Sequence, residues 1–198
     1  MDILAVSLVA LSYFLGGVPS GYIIARRVRG IDIRKHGSGN PGTANVYRSV
    51  GRKAGLLTLA ADALKGFLPV YLAIVFYPEQ QAVSLLCGAM AIIGHVWTVF
   101  LNFGGGKGVA TTAGVFLALL PRCMGPAAII FFVAMGLSGH ISVGSMTTAA
   151  VFPFLALMAG SPPAYTALAF ASSSLILYKH IPNLRKLLRE RAQLEKHG

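Results

Sequence analysis

A chain of 198 residues that is 55% hydrophobic, only 12% charged and has a mean hydropathy of +0.68 is not an ordinary water-soluble domain. Its net charge of +11 is concentrated in two short segments between apolar runs, which points to lipid headgroups and anionic substrates and away from nucleic acid. Cys87 and Cys123 lie in separate apolar contexts without metal-ligand spacing, so both read as packing residues and neither a disulfide nor a zinc site is expected.

The N-terminal stretch MDILAVSLVALSYFLGG carries Asp2 where a signal peptide would carry Lys or Arg, and is expected to be a retained first span. From Ile3 to Ala25 the chain is apolar enough to cross roughly 30 Å at about 1.5 Å per residue. Gly16, Gly17, Pro19, Ser20 and Gly21 thin its second half, which reads as tight helix packing ahead of contact with a polar cavity.

Residues 26–53 then hold eight of the seventeen Lys and Arg residues and are expected to face the cytoplasm. Within them, Gly37, Ser38, Gly39 and Asn40 are expected to turn several amide N–H groups toward one point, making an anion cradle. Arg34, Lys35, Arg48, Arg52 and Lys53 surround it.

Ala54 to Tyr77 forms a second span, interrupted by Asp62 and Lys65, three apart on one helical face. They read as a self-neutralising pair, as a brace for the anion site, or as both, since a lone charge at mid-membrane costs on the order of 2.5–3.5 kcal/mol. Pro78, Glu79 and Gln80 make a short outer turn, and Ala82 to Leu101 returns as a third span with His95 and Trp97 near its inner end.

Asn102 to Ala110 reads NFGGGKGVA and leads into a helix-compatible run, a second cradle at a helix N-terminus. It is not a Walker A loop: the required Gly at 101 is Leu and the Ser or Thr at 108 is Gly, which disfavours an ATPase. Beyond it lie four apolar segments, roughly 109–121, 125–138, 143–160 and 164–179, the first two only about a dozen residues long and short for a crossing.

The tail from Lys179 carries six more Lys and Arg residues and should be cytoplasmic, so an even number of spans joins Lys107 to Lys179. Two would keep that parity; four give seven in total. The expected fold is an all-α integral membrane protein of seven transmembrane helices in a single polytopic domain over residues 1–198, with the N-terminus outside and the C-terminus cytoplasmic.

Both glycine loops, His95 and the tail beginning His180, Asn183 and Arg185 then fall on one side of the membrane. A histidine ending a span is commonly a packing residue; a neighbouring cationic glycine loop makes His95 a candidate catalyst. His140, with no cation beside it, reads as structural, and His197 as tail. With six acidic residues in the whole chain, carboxylate-pair and metal-dependent mechanisms are poorly supplied, and no metal or cofactor is expected. What remains is acyl or phosphoryl chemistry driven by positive electrostatics, or transport of a phosphorylated solute with Asp62, Lys65 and the broken first span lining a pathway.

The order GGVPSGYIIA, DIRKHGSGNPGTANVYR, DALKG, GHVWTVFLNFGGGKGVATTAG and HIPNLRKLL resembles the bacterial acyl-phosphate:glycerol-3-phosphate acyltransferases, the PlsY family, over about the whole chain. Family members have seven spans and transfer a fatty acyl group from acyl phosphate to glycerol 3-phosphate, without the H-x-x-x-x-D motif of other glycerolipid acyltransferases. Here Phe100 follows His95, and Arg185 follows His180, at that spacing.

The resemblance implies that Ser38, Gly39 and Asn40 hold the donor's phosphate and polarise its carbonyl, with Asn45 in the same motif and Arg48 turned to glycerol 3-phosphate. Ser38, His95 and Lys107 would be catalytic; Gly105, Gly106 and Gly108 would allow close backbone approach, and His180 and Asn183 would lie near the acceptor. The chain departs from the usual pattern at Thr43-Ala44, Thr98, Gly104 and Glu190. Implied partners are the two substrates, membrane lipids and a soluble enzyme that makes acyl phosphate; the implied location is the bacterial inner membrane, with the site facing the cytoplasm.

Overall fold

In a computed structural model the described residues are 1–197, and among them every regular element is helical. The helices are α1 (Ile3–Gly17), α2 (Ser20–Arg29), α3 (Thr43–Ser49), α4 (Arg52–Phe76), α5 (Gln81–Val96), α6 (Val109–Leu119), α7 (Pro121–Ser138), α8 (Ile141–Met158) and α9 (Pro163–His197). Short 3-10 turns occupy Ile33–Lys35 and Val99–Leu101. Among the described residues five stretches are long and apolar enough to cross a membrane: Ile3–Arg29, Arg52–Phe76, Gln81–Leu101, Pro121–Ser138 and Ile141–Met158.

Several boundaries differ from the sequence expectation. The first span is two helices, because Pro19 has no amide hydrogen to continue α1 and Val18 leaves helical geometry. The carbonyls freed there find donors remote in sequence: Lys65 Nζ, on α4, donates to Val18 O at 2.6 Å, and Thr98 Oγ1, in the connection after α5, to Gly17 O at 2.6 Å. The segment expected at 125–138 starts four residues earlier, since Pro121 is a favourable first helical residue, and at 18 residues it is no longer short. α6 has only 11 residues. The last segment does not stop at 179 but continues as α9 through Pro182. The side chains of Glu190 and His197 lie outside the described residues.

The helices pack through small residues, as the glycines of the first span suggested. A Cβ on Gly16 would sit 2.2 Å from Ala91 O, so α1 lies directly against the backbone of α5. α4 meets α6 in the same way at Gly66 and Gly114, and α7, α8 and α9 pack in sequence. The main core joins Val70, Val83, Cys87, Val115, Phe116, Phe152 and Ala169, with Cys123 at its edge. A smaller core of Ala25, Ile33, Val46, Val50 and Ala54 lies where α2, α3 and α4 meet, beneath the first glycine loop. Large apolar side chains such as Ile3, Phe76, Leu137 and Met158 point outward, the arrangement expected where lipid is the solvent.

Candidate functional site

The first loop is built around one buried side chain. Asn45, on the first turn of α3, shares the two N–H groups of Nδ2 among the carbonyls of Ile33, His36 and Asn40, at 3.2, 2.9 and 3.0 Å. Its Oδ1 accepts from the Ser38 amide at 3.1 Å and from Ser49 Oγ at 3.3 Å. The Gly39 amide donates to His36 O at 3.0 Å. The amides of Ser38 and Gly39, expected to converge on an anion, are therefore used to fold the loop, and Asn45 is fully engaged by the chain itself. What the loop offers outward is the Ser38 hydroxyl and the Asn40 side chain, whose Oδ1 is buried without a hydrogen-bond partner.

The second loop folds back over the end of α5. Gly105 N–H donates to Val96 O at 3.2 Å and Gly106 N–H to His95 O at 3.0 Å, while Gly104 N–H donates to Leu101 O. These amides satisfy carbonyls that a helix end leaves open, so the expected cradle of three glycine amides is instead a cap. Gly108, at φ 86°, then turns the chain into α6. Lys107 lies between cap and helix, and its ammonium donates to Asn183 Oδ1 on α9.

The two loops face each other across an open groove of about 340 Å³. Arg34, Ser38, Gly39, Asn40 and Pro41 form one wall; Gly104, Gly105, Gly106 and Lys107 form the other, with Lys179 joining from α9. Burial, and secondarily the charge of Arg48, bring the Lys107 ammonium down to about 8. Arg48 is exposed on α3, off the groove lining but within electrostatic reach of Lys107. Arg34 is committed to Asp32, with contacts of 3.0 and 2.8 Å, and that guanidinium holds the Asp32 carboxyl down at about 2.

His95 does not line the groove. It is buried behind the second loop: a Cβ on Gly106 would lie 2.2 Å from His95 Nε2, and Nδ1 is 3.0 Å from Thr111 Oγ1. Beside it, Asp62 and Lys65 form a buried pair at 2.9 Å, with Asp62 Oδ1 3.9 Å from His95 Nδ1. Asp62, Lys65 and His95 share the lining of a cavity of about 10 Å³, about one water, with Pro41 of the first loop and Gly105 and Gly106 of the second. The ion pair thus neutralises itself and also braces the break in the first span.

His180 is buried on α9, with Nδ1 2.8 Å from Ile176 O. A carbonyl only accepts, so that nitrogen carries the proton. His140 is exposed and bonds to Ser138 in its own turn, as a structural residue would.

The structure therefore brings Ser38, Gly39, Asn40, Gly105, Gly106, Lys107 and Asn183 together, leaves Asn45, His95 and Gly108 as supports, and keeps Arg48 and His180 at the margin. Two features escaped the sequence reading: Lys179 in the groove, and Thr111 as the partner of His95. The first had a signal, since Lys179 and Asn183 are four apart and share a helical face.

A family model described as glycerol-3-phosphate acyltransferase matches residues 6–190. Curated proteins named glycerol-3-phosphate acyltransferase are similar over nearly their whole length. That of Endomicrobium trichonymphae is 41% identical, covering 91% of this chain and 90% of its own, and that of Rubrobacter xylanophilus is 43% identical, covering 94% and 92%. Among solved structures, the glycerol 3-phosphate form of PlsY (YgiH), an integral membrane glycerol 3-phosphate acyltransferase, superposes with a TM-score of 0.90 at 34% identity. That match covers 94% of this chain and 93% of the other. The lysophosphatidic acid form superposes at 0.87. By motif, fold and likeness along nearly its whole length, the chain belongs to the glycerol-3-phosphate acyltransferase family.

Proposed function

We infer that this chain transfers a fatty acyl group from acyl phosphate to glycerol 3-phosphate, giving lysophosphatidic acid and inorganic phosphate. The observation that carries the reading is the cationic groove between the two glycine loops, in a membrane chain whose relatives are named for acylation of glycerol 3-phosphate.

The groove suits a reaction whose donor is already activated. A glycerol 3-phosphate hydroxyl attacks the acyl carbonyl, the new ester C–O bond forms, the bond to phosphate breaks, and the hydroxyl proton passes to a phosphate oxygen. The chain's task is to hold the hydroxyl beside the carbonyl and to stabilise negative charge on the carbonyl oxygen and the departing phosphate. Lys107, oriented by Asn183, and the Ser38 hydroxyl face that space. His95 lies behind Gly106, which favours a substrate phosphate over the imidazole as the proton acceptor. No acyl-enzyme is required.

The same reading sets the topology. α1 with α2, then α4 to α9, make seven spans in one polytopic domain, with the N-terminus outside and the groove and C-terminus at the cytoplasmic face of the inner membrane. Arg26, Arg27, Arg29, Lys35, Lys179, Arg185 and Arg189 would then lie at that face, within reach of a soluble enzyme that supplies acyl phosphate.

Purified protein given acyl phosphate and labelled glycerol 3-phosphate should form labelled lysophosphatidic acid and release one phosphate per ester. Uptake of solute into liposomes without product, or an acyl group trapped on Ser38, would contradict the mechanism.

A further inference from the structure

The cations of the groove differ in what already holds them. Arg34 is bonded to Asp32 and stacks over Tyr22 at 5.1 Å, and Lys107 is bonded to Asn183. Lys179 is half-buried at the groove and has no acidic partner among the described residues. Its ammonium sits over the Trp97 ring, 5.4 Å from the centroid, a contact that restrains a cation without cancelling its charge.

Trp97 belongs to an apolar rim. Trp97, Val99, Phe100 and Phe103 are 39, 43, 54 and 61% exposed, on the short segment that runs straight into Gly104 and the groove. Lys179 therefore stands where the polar groove meets the membrane-facing apolar surface. Of the two substrates, only the donor joins a phosphate directly to an acyl chain; glycerol 3-phosphate has no apolar part to place on that rim.

We propose that Lys179 binds the phosphate of the acyl donor at the apolar mouth of the groove, with Trp97 fixing the ammonium and covering the first methylenes of the acyl chain. Lys179 is then a substrate-binding residue specific to the donor. Asn183, one turn further along α9, and the Lys107 it holds serve the reacting centre. The proposal rests on the acyl-phosphate reading.

Steady-state phosphate release by the full-length protein, in uncharged detergent without anionic lipid so that no headgroup supplies the anion, tests it. Lys179→Met should raise KM for acyl phosphate about tenfold to a hundredfold, as loss of a charge-assisted contact does, and leave KM for glycerol 3-phosphate within about twofold. Lys179→Arg should restore most of the loss. Trp97→Ala should weaken a long-chain donor more than a short-chain one.

An unchanged donor KM in active Lys179→Met, a rise confined to glycerol 3-phosphate, or an arginine variant as impaired as the methionine variant would overturn the assignment and leave the acyltransferase reading standing. Wild-type protein that fails to turn over acyl phosphate would overturn both. Should Lys179→Met not fold, Lys179→Gln replaces it with the same expected split.

Discussion

In the loop from Gly37 to Asn45 the polar groups are gathered by a side chain, whereas from Gly104 to Gly108 they are gathered by the end of a helix. Asn45 makes five hydrogen bonds to its own loop and helix; the second loop has no such hub and hangs from the last carbonyls of α5. The glycines answer to different constraints as well. Gly37 and Gly39 sit at φ 57° and 71°, where other residues are strained. At Gly105 the constraint is room, because a Cβ there would lie 2.0 Å from His95 O. Similar compositions thus reach similar shapes by different means, and the two loops should fail differently.

The largest effect belongs to Lys107, the cation of the second loop that lines the groove. Lys107→Ala should lower kcat about a hundredfold or more, as loss of a single oxyanion-stabilising donor does, with little change in thermal stability. A rate equal to wild type would show that the groove is not the reacting centre. Asn45→Ala comes next and acts through the fold. It strands three carbonyls and an amide, each costing about 1–3 kcal/mol where burial keeps water out. Thermal unfolding in detergent should drop together with activity; activity lost at unchanged stability would mean that Asn45 touches substrate instead.

The second loop gives a finer contrast. At Gly105 the obstacle is backbone, so no side-chain trimming relieves Gly105→Ala. At Gly106 it is the His95 ring, 2.2 Å from the added Cβ. Gly106→Ala combined with His95→Ala should therefore be more stable than the two single effects predict, with a coupling of at least about 0.5 kcal/mol. Gly105→Ala with His95→Ala should show none. Equal coupling in both pairs would mean that the ring does not pack as described.

Much of this site was legible in the sequence because it depends on residue type and order. The glycine clusters and their cationic neighbours followed from composition and charge, and the family resemblance pointed to Ser38, Lys107 and Asn183, which the fold brings to one groove. What the sequence hid was where each amide points. A glycine run signals freedom of conformation, but whether its N–H groups face an anion or a carbonyl depends on where α5 ends and on what Asn45 reaches, both tertiary facts. The break at Val18 shows the same limit: Pro19 announces it, yet its tolerance depends on Lys65 and Thr98, remote in sequence. The sequence paired Lys65 with Asp62, three residues away, but hid its second partner, the Val18 carbonyl, which lies 47 residues away.

The smallest effect is one of pH. Free Lys107 loses its proton near pH 8, so kcat/KM should fall by half there and about tenfold for each further unit, since the charged form serves the reaction. Arg48→Gln removes the lesser of the two causes and should move this limb upward by a fraction of a unit, whatever it does to KM for glycerol 3-phosphate. Stability should move the other way. The folded-state value lies below the ordinary 10.5, so between about pH 8 and 10.5 the unfolded chain binds the extra proton and the contribution of Lys107 to stability rises with pH. Activity that declines while thermal stability holds or increases would attribute the limb to the lysine. A parallel decline of both would attribute it to unfolding and leave Lys107 without a titrating role.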